Sequence, residues 1–314
     1  MKRRNQFLTV ILVVLCGTST ILFVNSRRGP VLKIDAGLFK VEASQKIDQV
    51  TLQRGDRKIN LDFENGKWRV NNNWDADASM IKVLFATASQ VEPRRPVAVT
   101  LIDSVKHELQ KNGVHVIMSE HGTVKTGFTA GGNSLKTEAW FLKDGDTQPY
   151  VMTIPGYRVY VSGIFELDES GWRNKRVFDF NWRNFRSLAT SYPKEKDQSF
   201  EIELKGRELA IRGIELADTA KLADYVDAIS LLFATKFISS PDHKVDSLKL
   251  AVPAAEIVIT DIGKSTYSLG LFPPSKNDQQ VYGRLGNGEV VALDKNDVAR
   301  IVRRKDYFRV RPPR

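Results

Sequence analysis

Ile47-Asp-Gln-Val-Thr-Leu-Gln53, Lys58-Ile-Asn-Leu-Asp-Phe63 and Lys67-Trp-Arg-Val70 alternate apolar and polar side chains, with Arg54-Gly55-Asp56 and Asn65-Gly66 between them. A period of two turns one face of each strand toward a core, and Asn-Gly is hairpin chemistry. The stretch therefore predicts a meander of short antiparallel strands. Ala76-Asp77-Ala78-Ser79 follows and opens a run with Ile81, Leu84, Phe85, Ala88 and Val91 at helical spacing. Pro93 and Pro96 are expected to close that helix.

The same grammar is written a second time. Ser199-Phe-Glu-Ile-Glu-Leu204, the turn Lys205-Gly206-Arg207 and Glu208-Leu-Ala-Ile-Arg212 form a second meander. Ala217-Asp218-Thr219-Ala220 then opens a helix with Leu222, Val226, Ile229 and Phe233 on one stripe. An acid at each helix start, Asp77 and Asp218, matches the unpaired amides and positive pole found there. Val114-His-Val-Ile-Met118 and Glu256-Ile-Val-Ile259 read as strands that run into turns at Gly122 and Gly263. Lys143-Asp-Gly-Asp146 and Leu285-Gly-Asn-Gly288 read as loops between paired strands. Trp172-Arg-Asn-Lys-Arg-Val-Phe178 and Val302-Arg-Arg-Lys-Asp-Tyr-Phe308 align as basic signatures closing the two halves. The fold expected is α+β: an N-terminal transmembrane helix, then two related halves, 40–182 and 184–311. Each half is a strand meander, a helix, more antiparallel strands and a terminal helix.

The 314 residues carry a formal charge of +10, but the excess lies at the ends. Residues 1–28 hold five basic and no acidic side chains, and residues 300–314 hold seven basic side chains against Asp306. The body between them is balanced, which argues against a nucleic-acid partner. The single cysteine, Cys16, excludes an intramolecular disulfide and a cysteine-based zinc site. Phe7–Val24 is an uncharged apolar run bracketed by Lys2-Arg3-Arg4 and Arg27-Arg28. Eighteen residues at about 1.5 Å each span about 27 Å, close to the hydrocarbon thickness of a bilayer. An uncleaved anchor over residues 1–28 is expected, with Phe7, Ile11, Leu15, Ile21 and Val24 within the membrane. The rivals are a cleaved signal peptide and a lipoprotein modified at Cys16. The length of the apolar run and the lack of an A-x-A-like site after it speak against the first; bulky Leu15, and an apolar run that continues past the cysteine, speak against the second. The heavier basic charge at the start favours a cytoplasmic N-terminus and a periplasmic or otherwise extracytoplasmic body at the inner membrane.

No reaction motif emerges. His107, His115, His121 and His243 form no H-E-x-x-H, Val161-Ser-Gly is not a nucleophile elbow, and Thr129-Ala-Gly-Gly-Asn-Ser134 reads as a loop and not a phosphate cradle. Asp144, Asp146, Asp168 and Glu169 read as turn and helix-start residues. No catalytic, cofactor-binding or metal-binding residue is assigned, and no cofactor is expected. The basic terminus, with Arg309, Arg311 and Arg314, is the candidate contact for lipid headgroups or a partner.

The basic start and apolar anchor, the segments I-D-Q-V-T-L-Q, G-K-W-R-V and D-A-D-A-S-M-I, and Trp172-Arg-Asn-Lys-Arg together resemble the bacterial family catalogued as domain of unknown function 4340. The resemblance covers most of residues 40–310. Two features depart from it: the tract after Pro96 lacks a Tyr-Gly-Leu segment, and the second half has no tryptophan matching Trp68. Members are often encoded beside ABC-transporter permease and gliding-associated auxiliary proteins. The resemblance implies a non-enzymatic accessory role with protein partners that include ABC-transporter subunits. The alternatives are a periplasmic lipid- or polysaccharide-binding module with a groove between the halves, and a hydrolase with a dispersed site that would cluster Asp144, Asp168 and His121.

Overall fold

Val50 and Leu52 are buried while Gln49 and Gln53 are exposed, as the alternation requires. They lie in a computed structural model that describes residues 15–20, 34–42, 46–238, 243–274 and 280–310. Among these residues the fold is α+β, with two antiparallel sheets and short helices. The first sheet collects β1 (Gln49–Arg54), β2 (Arg57–Glu64), β3 (Lys67–Val70), β4 (Trp74–Asp75), β5 (Glu92–Pro96), β6 (Val114–Glu120), β7 (Thr123–Gly132), β8 (Ala139–Lys143) and β9 (Tyr150–Thr153). Helix α1 (Ala78–Gln90) precedes β5, and α2 (Ile102–Asn112) follows it. After the short helix α3 (Glu169–Trp172), the second sheet takes β10 (Phe185–Ser191), β11 (Phe200–Lys205) and β12 (Glu208–Ile211). Helix α4 (Thr219–Ser230), β13 (Ala234–Ile238), α5 (His243–Leu250), β14 (Ala255–Asp261), β15 (Thr266–Leu271), β16 (Gln280–Leu285), β17 (Val290–Asp294) and α6 (Lys295–Ile301) complete the order.

The strands run β4-β3-β2-β1-β6-β7-β8-β9-β5 in the first sheet and β12-β11-β10-β14-β15-β16-β17-β13 in the second. In each, the meander grows outward from its first strand, and the strand after the long helix lies at the far edge. Four successive strands fill the space between. Pro93 and Pro96, expected only to end a helix, lie in the edge strand β5, paired with β9 through a register shift between Pro93 and Arg95. An edge strand tolerates the missing amide hydrogens.

The described residues divide into two compact units: residues up to Lys58 with Lys82–Glu166, and Ile59–Ile81 with Leu167 onward. These bounds differ from the sequence halves 40–182 and 184–311. The backbone ties Ile59–Ile81 to the later chain: Asp77 N donates to Trp172 O, and Asn174 N donates to Asp75 O, both at 2.8 Å. In the first unit Phe128 and Phe141 stack at 4.7 Å, with Phe39 and Phe165 edge-on to both. The second unit closes over α4, whose Leu222, Tyr225, Val226 and Ile229 are buried in one core with Phe185, Ile202, Ile257 and Phe308.

Thr129–Gly132 is strand and not loop, within β7. A Cβ at Gly131 would stand 2.7 Å from Leu109 Cδ2, and one at Gly132 would stand 2.4 Å from Glu138 O. The glycines let helix α2 and the neighbouring chain approach. Gly122 takes φ +76°, but in the matching turn it is Lys264, not Gly263, that has positive φ. Of Phe7–Val24, residues Leu15–Thr20 are helical and exposed; Phe7, Ile11, Ile21 and Val24 lie outside the described residues. Among the described residues no helix is long and apolar enough to cross a membrane.

Candidate functional site

His115, His121, Asp144, Asp168 and Glu169 are each held by a separate partner. His115 Nε2, on β6, lies 2.9 Å from Asp144 Oδ2, just beyond the end of β8. His121 Nδ1 lies 2.9 Å from Asp48 Oδ2, and its amide donates to the same carboxylate. Asp168 caps α3 by accepting from Gly171 N at 2.8 Å, and Glu169 accepts from Asn71 Nδ2 at 2.7 Å. Asp146 N closes the turn on Lys143 O. His107 is exposed on α2, and His243 opens α5. Ser162 is buried and donates to Gly131 O at 2.6 Å, so its hydroxyl is spent on the backbone. Among the described residues no group of three or more His, Cys, Asp and Glu is placed to hold a metal ion.

A polar cluster that no sequence motif announced lies beside Gly132. Tyr160 donates to Glu166 Oε1 at 2.5 Å, and Lys136 Nζ reaches Glu166 Oε2 at 2.7 Å. Burial, and then the adjacent carboxylate, push the Tyr160 hydroxyl well above the usual phenol range.

One backbone arrangement occurs twice in the second unit. Ala76 bridges to Arg173 and Asp77 N donates to Trp172 O at 2.8 Å. Ala217 bridges to Arg309 and Asp218 N donates to Phe308 O, also at 2.8 Å. In both, the aspartate then caps a helix. Asp77 Oδ1 accepts from Ser79 N at 2.7 Å, and Asp218 Oδ1 accepts from Lys221 N at 3.2 Å. That amide, with the Lys221 side chain, holds the Asp218 carboxyl below the usual carboxylate range. Trp172 and Phe308 are both fully buried. The register of the basic signatures is therefore Trp172-Arg173 on Phe308-Arg309. The composition-led alignment of Phe178 with Phe308 is corrected by these bonds.

The two arginines meet different surroundings. Arg173 is 6% exposed, and its Nη2 donates to both Glu289 oxygens at 2.8 and 2.9 Å. Its guanidinium lies 3.7 Å from the ring centres of Trp74 and Phe237, a sandwich that combines a charge-assisted pair with cation–π attraction. Arg173 Nε and Trp172 Nε1 are buried with no acceptor among the described residues. Arg173 is thus an enclosed, paired charge just past the end of α3.

Arg309 is exposed and, among the described residues, its guanidinium pairs locally with Asp306 Oδ1 at 2.9 Å. Its guanidinium and then Gln198 hold the Asp306 carboxyl below its usual range. Around it Leu216, Tyr307 and Val310 are exposed. The Arg303 guanidinium and the Lys221 ammonium lie 4.9 and 5.3 Å from the Tyr307 ring centre. A cleft of about 540 Å³ adjoins, lined by Asp224, Asp227, Leu231, Arg300 and Tyr307. Arg309 lies on the strap that bridges to Ala217; Arg311 and Arg314 lie outside the described residues. Trp74, Phe237 and Glu289 were missed in the sequence, because no local spacing joins three positions so far apart along the chain.

No curated protein and no solved structure matches the chain. One family model does, over residues 68–253, from Trp68 on β3 to just past α5. Its description is Domain of unknown function (DUF4340), and its span takes in Trp74, Arg173 and Phe237. With more than half of its length covered by that match, the chain belongs to the DUF4340 family.

Proposed function

We propose that this chain is a non-enzymatic, single-pass membrane protein and an accessory, partner-binding component of an envelope ABC-transport system. The uncharged run Phe7–Val24 between basic flanks supplies the anchor, with the N-terminus in the cytoplasm and the body outside it at the inner membrane. The body arose by duplication, a reading supported by the common strand order of the two sheets and by the paired straps.

The observation that carries the partner-binding reading is the difference between Arg173 and Arg309. At one strap the arginine is enclosed by a carboxylate and two rings. At the other, the same backbone presents Arg309 to solvent beside exposed Leu216, Tyr307 and Val310. A protein surface offering a carboxylate and an aromatic ring complements that strap as Glu289, Trp74 and Phe237 complement Arg173. Arginine and aromatic anchors of this kind carry much of the energy of protein interfaces.

The test is crosslinking and affinity purification of the intact protein from its own membrane. A transporter subunit is expected with the wild type, and its yield should fall severalfold with Arg309→Glu. Recovery without any transporter subunit, or equal recovery with the variant, overturns the reading. A reporter fused at the C-terminus that is active only in the cytoplasm overturns the orientation.

A further inference from the structure

The second unit holds a groove of about 360 Å³ that the strap does not use. Leu271 and Phe272, at the end of β15, and Val281 on β16 form its floor; Val298 and Ala299 on α6, with Val302 beyond, form its wall. Polar groups gather at the rim. The Tyr192 hydroxyl is already spent, donating to Arg303 O at 2.5 Å. Arg304 pairs with Glu195 and neutralises it. Lys194 and Lys295 remain at the rim, exposed and without an anionic partner among the described residues.

We infer that this groove binds a single long-chain fatty-acid anion, with the acyl chain along the apolar floor and the carboxylate between Lys194 and Lys295. Three observations select that ligand. The walls present aliphatic and aromatic carbon, which favours a hydrocarbon chain and leaves the hydroxyls of a sugar without partners. The rim carries Lys194 and Lys295, two cations with no anionic partner among the described residues, which favours an anionic head. The volume sits at the small end of the ligand-pocket range of about 300–1,000 Å³, room for one chain and not for the paired chains of a phospholipid. A largely apolar pocket with a few charged groups at its mouth is the usual build of a small-molecule site. The inference stands on the groove alone and does not depend on the partner proposed for Arg309.

The test uses the full chain in phosphatidylcholine nanodiscs, irradiated with a photoactivatable hexadecanoic acid, with the labelled peptides mapped by mass spectrometry. Label is expected on Leu271–Pro274 and Val298–Val302, displaced by hexadecanoate and not by hexadecylamine. Ala299→Trp, at an exposed position on the wall, should cut that label more than about tenfold by filling the groove. The double variant Lys194→Glu with Lys295→Glu lies on the surface and keeps the core intact. It should cut the label about fivefold, as two weak surface ion pairs lost together would. Label outside the groove, label undiminished in both variants, or equal displacement by hexadecylamine overturns the inference.

Discussion

Replacing Glu289 with alanine leaves the Arg173 guanidinium enclosed without its carboxylate. Breaking a fully buried ion pair by removing one partner costs about 3–5 kcal/mol, whereas an exposed pair contributes about 0–1 kcal/mol. The Arg173 side chain is 8% exposed and that of Glu289 is 23% exposed, so the pair lies nearer the buried limit without reaching it. Trp74 and Phe237 stay in place and offset part of the loss. The expected cost is about 2–3 kcal/mol. For a unit of this size each kcal/mol moves the midpoint by about 2–4 °C, so Glu289→Ala should melt about 5–10 °C lower. Circular dichroism melting of the full chain measures the shift, and hydrogen exchange should place the lost protection at α3 and β13. Arg173→Met combined with Glu289→Leu removes both charges and should recover most of the stability, since buried pairs often exchange for apolar residues at little cost. A drop of under about 2 °C for Glu289→Ala, or a double variant less stable than the single, would refute the assignment of Arg173 as a buried, paired charge.

Other perturbations probe the rest of the frame. Gly132→Ala should destabilise the first unit by about 1–3 kcal/mol in urea melts, since its Cβ meets backbone Glu138 O and the Tyr160 ring. Gly131→Ala should cost less, because the atom in its way is the far end of Leu109. Asp77→Ala removes the cap shared by Ser79 N and Met80 N and should cost about 1 kcal/mol, read from the same denaturation curves. Asp218 is held below its usual pKa, so its anion stabilises the fold above the ordinary carboxylate range, and that contribution is lost as pH falls through the lowered value. The gap between the melting midpoints of wild type and Asp218→Ala should be full at neutral pH and vanish in acid; a constant gap would contradict the capping role.

What was legible in the sequence is what short-range chemistry decides. Val50 and Leu52 alternate with exposed neighbours, Asn65-Gly66 turns a hairpin with positive φ at both residues, and Asp77 and Asp218 cap the helices assigned to them. Each of those outcomes depends on residues a few positions apart. Gly131 and Gly132 misled because a glycine pair looks like a turn, while its cause is the approach of Leu109 and Tyr160 from elsewhere in the first unit. Pro93 and Pro96 misled because a proline stops a helix in any context, but admits a strand only at an edge, and edge position is set by the whole sheet. The strap lay further out of reach. Arg173 joins Trp74, nearly a hundred positions before it, to Glu289, more than a hundred after it, and a run of basic residues invites alignment by charge when the buried aromatic ring sets the register.

The second unit takes Ile59–Ile81 from before the first unit is finished and the remainder from Leu167 onward. This has a consequence for synthesis. A ribosome adding about 5–20 residues each second delivers Ile59–Ile81 on the order of ten seconds before Leu167. During that interval Trp74 and Asp77 have no Arg173 or Trp172 to meet, while the first unit's second segment, Lys82–Glu166, is being made. The nascent chain must therefore hold the Trp74–Asp77 end of that segment soluble without its strap partners. Premature pairing of that segment is the misfolding hazard built into this order of elements, and a pause in translation before Leu167 would lengthen it.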